Sequence, residues 1–138
     1  MTVRLWAAHL APLGRPSADG RVLDPAGKFT LPTMFPKTRY LIAAEDNHDL
    51  NRIGTLTYLH AEDGWLMAGG KLWPPVDATE RQLHDLIRAG KLFPQMSLRN
   101  IRSEHDGDVV RLLGGTVAGV IAGRDPAWPD TRFHLEES

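Results

Sequence analysis

Ser97 and His48 are the two residues of this sequence whose types and settings best fit a nucleophilic centre. Ser97 stands in the stretch LFPQMSLRN, between large apolar residues and an arginine, just after a helix-like segment. A serine attacks a substrate only when a base takes its proton and a donor stabilises the developing oxyanion. His48 stands in the polar stretch EDNHDLN before a predicted strand, and loops of this kind often present functional side chains. The pair predicts hydrolase chemistry, although a serine in this setting is also an ordinary strand residue.

Neither a metal site nor a nucleotide cofactor is predicted. The chain lacks cysteine, an HExxH motif and a histidine pair at helical spacing, which are the usual sources of metal ligands. The acidic residues around His48 (Glu45, Asp46 and Asp49) would hold a cation only loosely. The stretch GGKLWP lacks P-loop spacing, and GGTVAG lacks the helix that follows a dinucleotide fingerprint. The other histidines are assigned ordinary surface or hydrogen-bonding roles, and they are His9, His60, His84, His105 and His134.

Composition predicts one globular domain spanning residues 1–138. A chain of 138 residues can bury a real core, and its 42% apolar and 24% charged residues are ordinary for a globular protein.

The formal charge is -1, and the basic residues are scattered. Neither nucleic acid nor an anionic membrane is therefore an expected partner. The absence of cysteine excludes disulfides and fits a reducing compartment. The sequence contains no run of 18 apolar residues, so no transmembrane helix is predicted.

Ten prolines and thirteen glycines divide the chain into short segments, which favours strands and turns. Strands are predicted over residues 2–9 and 40–45, and two short strands, RVLD and KFTL, flank a predicted turn at PAG. The runs RIGTLTYLH and WLMAGGKL, joined by AEDG, predict a hairpin. The stretch FPQMSLRNIRSEH predicts a strand that turns at DGD into VVRLLGGTVAGVIAG. The segment from Arg124 onward is predicted to be a proline-marked tail.

One helix is predicted, over residues 78–89. Asp77 is its expected N-cap, Glu80 completes a capping box, and Gly90 stands where a C-cap glycine belongs. Many strands around one helix predict the α+β class, as a small, mostly antiparallel β-barrel with a central helix.

Several stretches together resemble the prohead (capsid maturation) proteases of tailed bacteriophages, which are related in fold to the herpesvirus assemblins. The resemblance covers most of the chain, and each motif is short, so their order and spacing carry the likeness. The motifs are APLGRPSADGRVLDPAG, NHDLNRIGTL, EDGWLMAGGKL, ATERQLHDLIRAGKL, PQMSLRN and GVIAGRDPAWPDTRF.

This resemblance implies a serine endopeptidase with Ser97 as nucleophile and His48 as base. Arg124 matches the assemblin arginine that supports the oxyanion region. The implied substrates are scaffold and capsid-protein segments, and the chain itself. The implied location is the prohead interior within the bacterial host cytoplasm, and a homodimer is the implied assembly.

The sequence departs from the family pattern at two places. Arg99 stands where the family often has the glycine of Ser-x-Gly-Phe. The third catalytic position, usually an acid or a histidine, falls on Thr116 or Gly119 depending on the alignment gap. Asp46 is a possible substitute, and a Ser-His dyad is another. The departures leave two alternatives: an inactive protease-fold scaffold or capsid-binding protein, and a prophage-derived domain with another hydrolase activity.

The large apolar residues near these motifs have two possible roles. Trp65, Trp73 and Trp128 are expected to be core or interface anchors, with the lining of a peptide groove as the alternative. Phe93 and Met96 are expected to pack beneath the strand that carries Ser97.

Overall fold

The fold is built from nine strands and one helix within the residues that the structure, a computed structural model, describes: 4–33, 39–43 and 51–137. In chain order the elements are β1 (Arg4–Pro12), β2 (Arg21–Thr30), β3 (Tyr40–Ala43), β4 (Asn51–Thr55), β5 (Tyr58–Glu62), β6 (Trp65–Lys71), α1 (Ala78–Arg88), β7 (Phe93–Asp106), β8 (Val109–Gly123) and β9 (Arg132–Glu137).

The strands form two sheets. The first has the order β5-β6-β1-β9, and all of its pairings are antiparallel. The second is organised around β8, whose 15 residues make it the longest described strand. Along one edge β8 pairs antiparallel with β7, and along the other it pairs in parallel with β2 and then with β3. Strand β4 extends this sheet by pairing antiparallel with β3.

The predicted α+β barrel with a central helix is wrong. Within the described ranges the two sheets do not close into a barrel, and the architecture is all-β-like. Isolated bridges at Leu13↔Leu23 and Gly54↔Leu72 join the sheets only at their margins. Two of the pairings to β8 are parallel rather than antiparallel. The 15 residues of β8 let β2 and β3 follow one another along the same edge.

The hydrophobic core lies between the sheets. Its largest fully buried members come from both of them and include Trp6, Leu10, Leu41, Ile53 and Val120. Alternation along each strand turns every second side chain into this layer. The remaining positions of the strands carry most of the polar residues.

Helix α1 confirms the predicted helix almost to the residue. The Asp77 carboxylate accepts a hydrogen bond from the Glu80 amide at 2.8 Å, which satisfies one free N–H of the first turn. Gly90 has φ +72 just beyond the helix, a conformation that glycine adopts without strain. Leu83 and Ile87 are buried, and the helix packs mainly on the edge strand β9. This helix is not long and apolar enough to cross a membrane.

Three segments differ from their predicted form. The run RIGTLTYLH divides into β4 and β5, which belong to different sheets, while the turn Asp63–Gly64 joins β5 and β6 as the predicted hairpin. The predicted turn at PAG lies inside a continuous β2, whose register shifts between Leu23 and Lys28. The predicted tail contains β9, which pairs along β1.

Candidate active site

Ser97 lies near the beginning of β7 and is half-buried. Its neighbours Met96 and Leu98 both pack against the core. Since successive side chains of a strand point to opposite faces, Ser97 points to the outer face of the sheet. Met96 therefore lies beneath the strand as predicted, whereas Phe93 has the same parity as Ser97 and belongs to the outer face. No hydrogen bond joins the Ser97 hydroxyl to another residue of the described ranges.

A β-bulge lies directly at Ser97. Ser97 pairs with Gly119 of β8, but the next residue, Leu98, pairs with Val117, so Ala118 is the extra residue on β8. Bulges re-aim side chains and are common next to active sites. Gly119 also pairs with Tyr40 of β3, and a Cβ at Gly119 would lie 3.2 Å from the Tyr40 carbonyl oxygen. The glycine thus keeps the space opposite Ser97 open and lets three strands meet closely.

Thr116 lies close to Ser97 on the neighbouring strand. It pairs with Arg99 of β7 and is half-buried. The next residue, Val117, is fully buried in the core, so Thr116 points to the outer face with Ser97. The two are diagonal neighbours, for which Cα atoms are typically about 7–8 Å apart. This separation is too long for a direct hydrogen bond but suits two groups that share a third side chain.

His48 and the alternative acid Asp46 lie outside the described residues, between the end of β3 and the beginning of β4. The two ends of that connection are described. Ala43 ends β3, pairs with Ala122 of β8, and also pairs with Asn51 of β4. Because Ala122 pairs with Pro94 of β7 as well, the connection begins at the end of the sheet where β7 enters it.

Arg124 follows the last residue of β8 and is exposed. It stands five positions beyond Gly119, which corresponds to roughly 16 Å along an extended strand. The backbone of Arg124 therefore lies at the end of the sheet rather than beside Ser97. The Gln95 side chain donates to the carbonyl oxygen of the next residue, Asp125, which ties this turn to β7.

An aromatic group that the sequence did not indicate surrounds Tyr40. The Arg52 guanidinium lies 4.5 Å from the centroid of the Tyr40 ring, and the Trp73 ring meets it edge-on at 6.0 Å. Trp73 is 37% exposed, whereas Trp128 is buried and Trp65 is half-buried. The one sequence signal for this side chain is the position of Tyr40 in the strand YLIA, where it alternates with buried Leu41 and therefore faces outward.

The described surroundings of Ser97 contain no carboxylate. The residues that flank it on its own face or pair across from it are Gln95, Arg99, Thr116, Gly119 and Tyr40. Within the described ranges no group of three or more metal-binding side chains is present. The arrangement can therefore support a serine nucleophile if a histidine from the connection after β3 reaches it, with Thr116 as a neutral orienting group.

The described histidines include a pair on the other sheet. His9 Nδ1 of β1 and His134 Nε2 of β9 are 2.9 Å apart, so one ring donates a hydrogen bond to the other. Burial lowers the pKa of His9, and the charge of Arg132 and the neighbouring His134 lower it further, against a smaller opposing effect of Glu62. Burial and Arg132 also lower the pKa of His134.

This pair predicts a loss of stability in mild acid. A lowered pKa means that the unfolded chain takes up protons before the folded one, so the free energy of unfolding is highest above the ordinary histidine value of about 6.5 and falls as the pH drops through it. We expect urea midpoints to decrease between about pH 7.5 and about pH 5, and to decrease less in the H9Q/H134Q double variant. The H105Q variant, which removes an exposed histidine at the end of β7, should keep the wild-type decrease, and an equal decrease in the double variant would contradict the prediction.

No protein-family model, curated protein or solved structure matches this chain. The function proposed below therefore rests on the residues of the site, their placement in the fold, and the resemblance of the motifs.

Proposed function

We propose that this protein is a serine endopeptidase of the prohead-protease type, with Ser97 as nucleophile and His48 as general base. The observation that carries the proposal is the placement of Ser97. It points outward from a bulged strand, opposite a glycine and diagonal to Thr116, three residues along β7 from the level at which the chain leaves β3 toward His48.

Chain geometry is compatible with a Ser97–His48 contact. Ser97, Gly119 and Tyr40 lie on three adjacent strands, so about 10 Å separates Ser97 from Tyr40 across the sheet, and Ala43 lies about 10 Å further along β3. The diagonal is roughly 14 Å. His48 is five residues beyond Ala43, and five extended residues span at most about 17 Å. His48 is also three residues before Asn51, which pairs with Ala43 on the side of β3 away from Ser97, and three extended residues cover at most about 11 Å of the roughly 17 Å between Asn51 and Ser97. The His48 backbone can therefore approach Ser97 to about 7 Å, and the two side chains must bridge this distance.

In the proposed reaction, His48 removes the Ser97 proton as the hydroxyl oxygen bonds to a peptide carbonyl carbon. The carbon–nitrogen bond then breaks, and the leaving amine takes the proton from His48. Water hydrolyses the resulting acyl-enzyme by the same steps in reverse, which frees Ser97. Thr116 accepts a hydrogen bond from the imidazole. The resemblance assigns Arg124 to the oxyanion region, but its backbone lies roughly 16 Å along the strand from Gly119, so Arg124 has no step in this reaction. A neutral threonine stabilises an imidazolium less than a carboxylate would, so a slow enzyme is expected.

The proposed substrates are segments of scaffold and capsid proteins, and of the protein's own chain, cut inside an immature phage shell. A homodimer is the proposed active assembly. These parts of the proposal come from the resemblance of the motifs to prohead proteases rather than from the geometry around Ser97.

The test is intact-mass spectrometry after exposure to a small fluorophosphonate, at protein concentrations high enough to favour dimers. We expect one adduct per chain on the wild type and none on the S97A variant, because only an activated serine displaces the fluoride. Peptide mapping should place the adduct on Ser97. An adduct that persists in S97A, or a wild type that stays unlabelled under every condition, would refute the proposal.

A second candidate function is a non-cleaving scaffold or capsid-binding protein with a protease-like fold. The absence of a carboxylate among the described residues around Ser97 favours it. The S97A variant separates the two candidates: a binding protein keeps its capsid-binding function without Ser97, whereas a protease loses processing of its substrate.

A further inference from the structure

Three exposed cations form a strip on the outer face of the second sheet, and this basic strip consists of Lys28 of β2 and Arg99 and Arg102 of β7. Arg99 is two residues beyond Ser97 and lies on the same face, since the intervening Leu98 packs against the core. Two residues of an extended strand span about 7 Å. The basic strip therefore begins beside the proposed nucleophile.

The other two members of the basic strip lie in one row across the sheet. Arg102 and Lys28 both pair with Gly114 of β8, from its two sides, which places their Cα atoms about 10 Å apart. A Cβ at Gly114 would come within 2.8 Å of an Arg102 guanidinium nitrogen, so this exposed side chain lies over the glycine. Phe29 packs against the core, and its neighbour Lys28 therefore points outward as well.

The basic strip has no counter-ion among the described residues. Elsewhere in the chain basic side chains are paired with carboxylates, as in Arg15–Asp130, Arg21–Asp19, Arg88–Asp85, Arg111–Asp24 and Arg111–Asp106. No such pair within the described ranges includes Lys28, Arg99 or Arg102. Three like charges on one patch repel one another, and an anionic partner would relieve that repulsion.

Strand β7 also has an edge to which an extended peptide can pair. Among the described strands only β8 pairs with β7, and every residue of β7 from Arg99 to Asp106 is exposed. The other edge of β7 therefore carries free backbone donors and acceptors, to which a peptide can add as a further strand. Such a peptide passes Ser97, then Arg99 and then Arg102, and directly opposed residues have Cβ atoms about 4.5–5.5 Å apart. Carboxylates on its outward side chains are close enough to pair with both guanidinium groups.

We infer that the basic strip and the free edge of β7 together bind an acidic peptide segment, extended along the strand from Ser97 past Arg102. Resting on the proposed function, this segment belongs to the polypeptide that the enzyme cuts. A peptide is favoured over a nucleic acid because a strand edge pairs with another main chain, and three cations are fewer than the roughly six or more phosphate contacts of many nucleic-acid-binding proteins. The inference also gives Arg99, which departs from the glycine of the resembled family, a role in binding.

The experiment measures the binding of two fluorescein-labelled decapeptides by fluorescence anisotropy at low salt. One peptide alternates threonine with glutamate, and the other alternates threonine with glutamine. The S97A variant is used beside the wild type, so that cleavage of the probe does not affect the result. We expect the glutamate peptide to bind at least about tenfold more tightly, as close charge pairs across an interface can provide, and its affinity should fall as salt screens the exposed charges.

The R99E/R102E variant should bind the glutamate peptide at least about tenfold more weakly than the wild type, because each substitution replaces an attraction with a repulsion. The matched control is R81E/K91E, which makes the same change in net charge at two exposed positions, one on α1 and one just beyond it. Its affinity should stay within about twofold of the wild type, since distant exposed charges are screened.

Equal binding of the two peptides, or equal affinities in R99E/R102E and R81E/K91E, would overturn the inference. An oligothymidylate of the same charge that binds as tightly as the glutamate peptide would also overturn it, because the basic strip would then be a general anion-binding surface. The assay requires no cleavage, so its failure would leave fluorophosphonate labelling of Ser97 standing. Peptide binding without such labelling would refute the proposed function and leave the basic strip as a site for acidic peptides.

Discussion

The H48A variant is expected to label with fluorophosphonate about 10²–10⁴-fold more slowly than the wild type, which is the usual contribution of a general base. Without an acceptor for its proton, Ser97 is an ordinary hydroxyl that displaces fluoride only very slowly. The measurement is the rate of adduct formation by intact mass, at matched protein concentration. Circular dichroism should show an unchanged strand content, so that a lower labelling rate reports the loss of the base and not a loss of fold.

The matched control for this prediction is H60A. His60 lies on β5 in the other sheet, where its ring contacts Glu62 at 3.0 Å, so its removal should leave the labelling rate of Ser97 unchanged. A rate in H48A within about threefold of the wild type, far short of the usual effect of removing a base, would exclude His48 as the base. An equal loss in H60A would indicate that the assay reports folding or assembly rather than proton transfer.

Short-range sequence patterns were sufficient to predict the helix and the hairpin, because both depend on residues that are close together in the sequence. The Asp77 cap, the capping box with Glu80 and the C-cap glycine Gly90 predicted α1, and the Asp63–Gly64 turn predicted the β5–β6 hairpin. Each of these features depends on residues within one or two turns of one another.

Strand pairing over long sequence separations was not predictable in the same way. Whether β2 and β3 pair with β8 in parallel depends on contacts across more than 70 residues, which no local pattern records. Strand β9 was missed because RFHLEE has only two alternating apolar residues, and its stability as a strand comes from pairing with β1.

Strand pairing that the sequence does not record also limited the prediction of the candidate site. The sequence left the third catalytic position open between Thr116 and Gly119, which differ by a gap of three residues. The bulge at Ala118 makes both of them neighbours of Ser97, one diagonal and one directly opposite. The pairing register, which the sequence does not record, is therefore needed to separate Thr116, whose side chain can orient a histidine, from Gly119, which has no side chain.

Gly70→Ala is expected to destabilise the protein by about 3–5 kcal/mol, as the sum of overpacking and of an unsatisfied buried donor. A Cβ at Gly70 would overlap with the carbonyl oxygen of Thr55. That oxygen cannot move freely, because it accepts a hydrogen bond at 2.8 Å from the indole nitrogen of Trp6, which is 1% exposed. Displacing it would both strain the crossing of β4 over β6 and leave the indole N–H without its partner. Urea unfolding followed by circular dichroism gives the change in the free energy of unfolding.

Gly123→Ala is the matched control, since it adds the same methyl group at the end of β8. Its Cβ would meet the Gln95 side-chain nitrogen at 3.3 Å, and a flexible side chain can give way where a backbone carbonyl cannot. We expect a change within about 1 kcal/mol, as for most substitutions away from the core. Domains of this size are usually stable by only about 5–15 kcal/mol, so the loss in G70A would be a large fraction of the total. A G70A midpoint close to that of G123A would mean that the two sheets do not approach each other at Gly70 as closely as the structure shows.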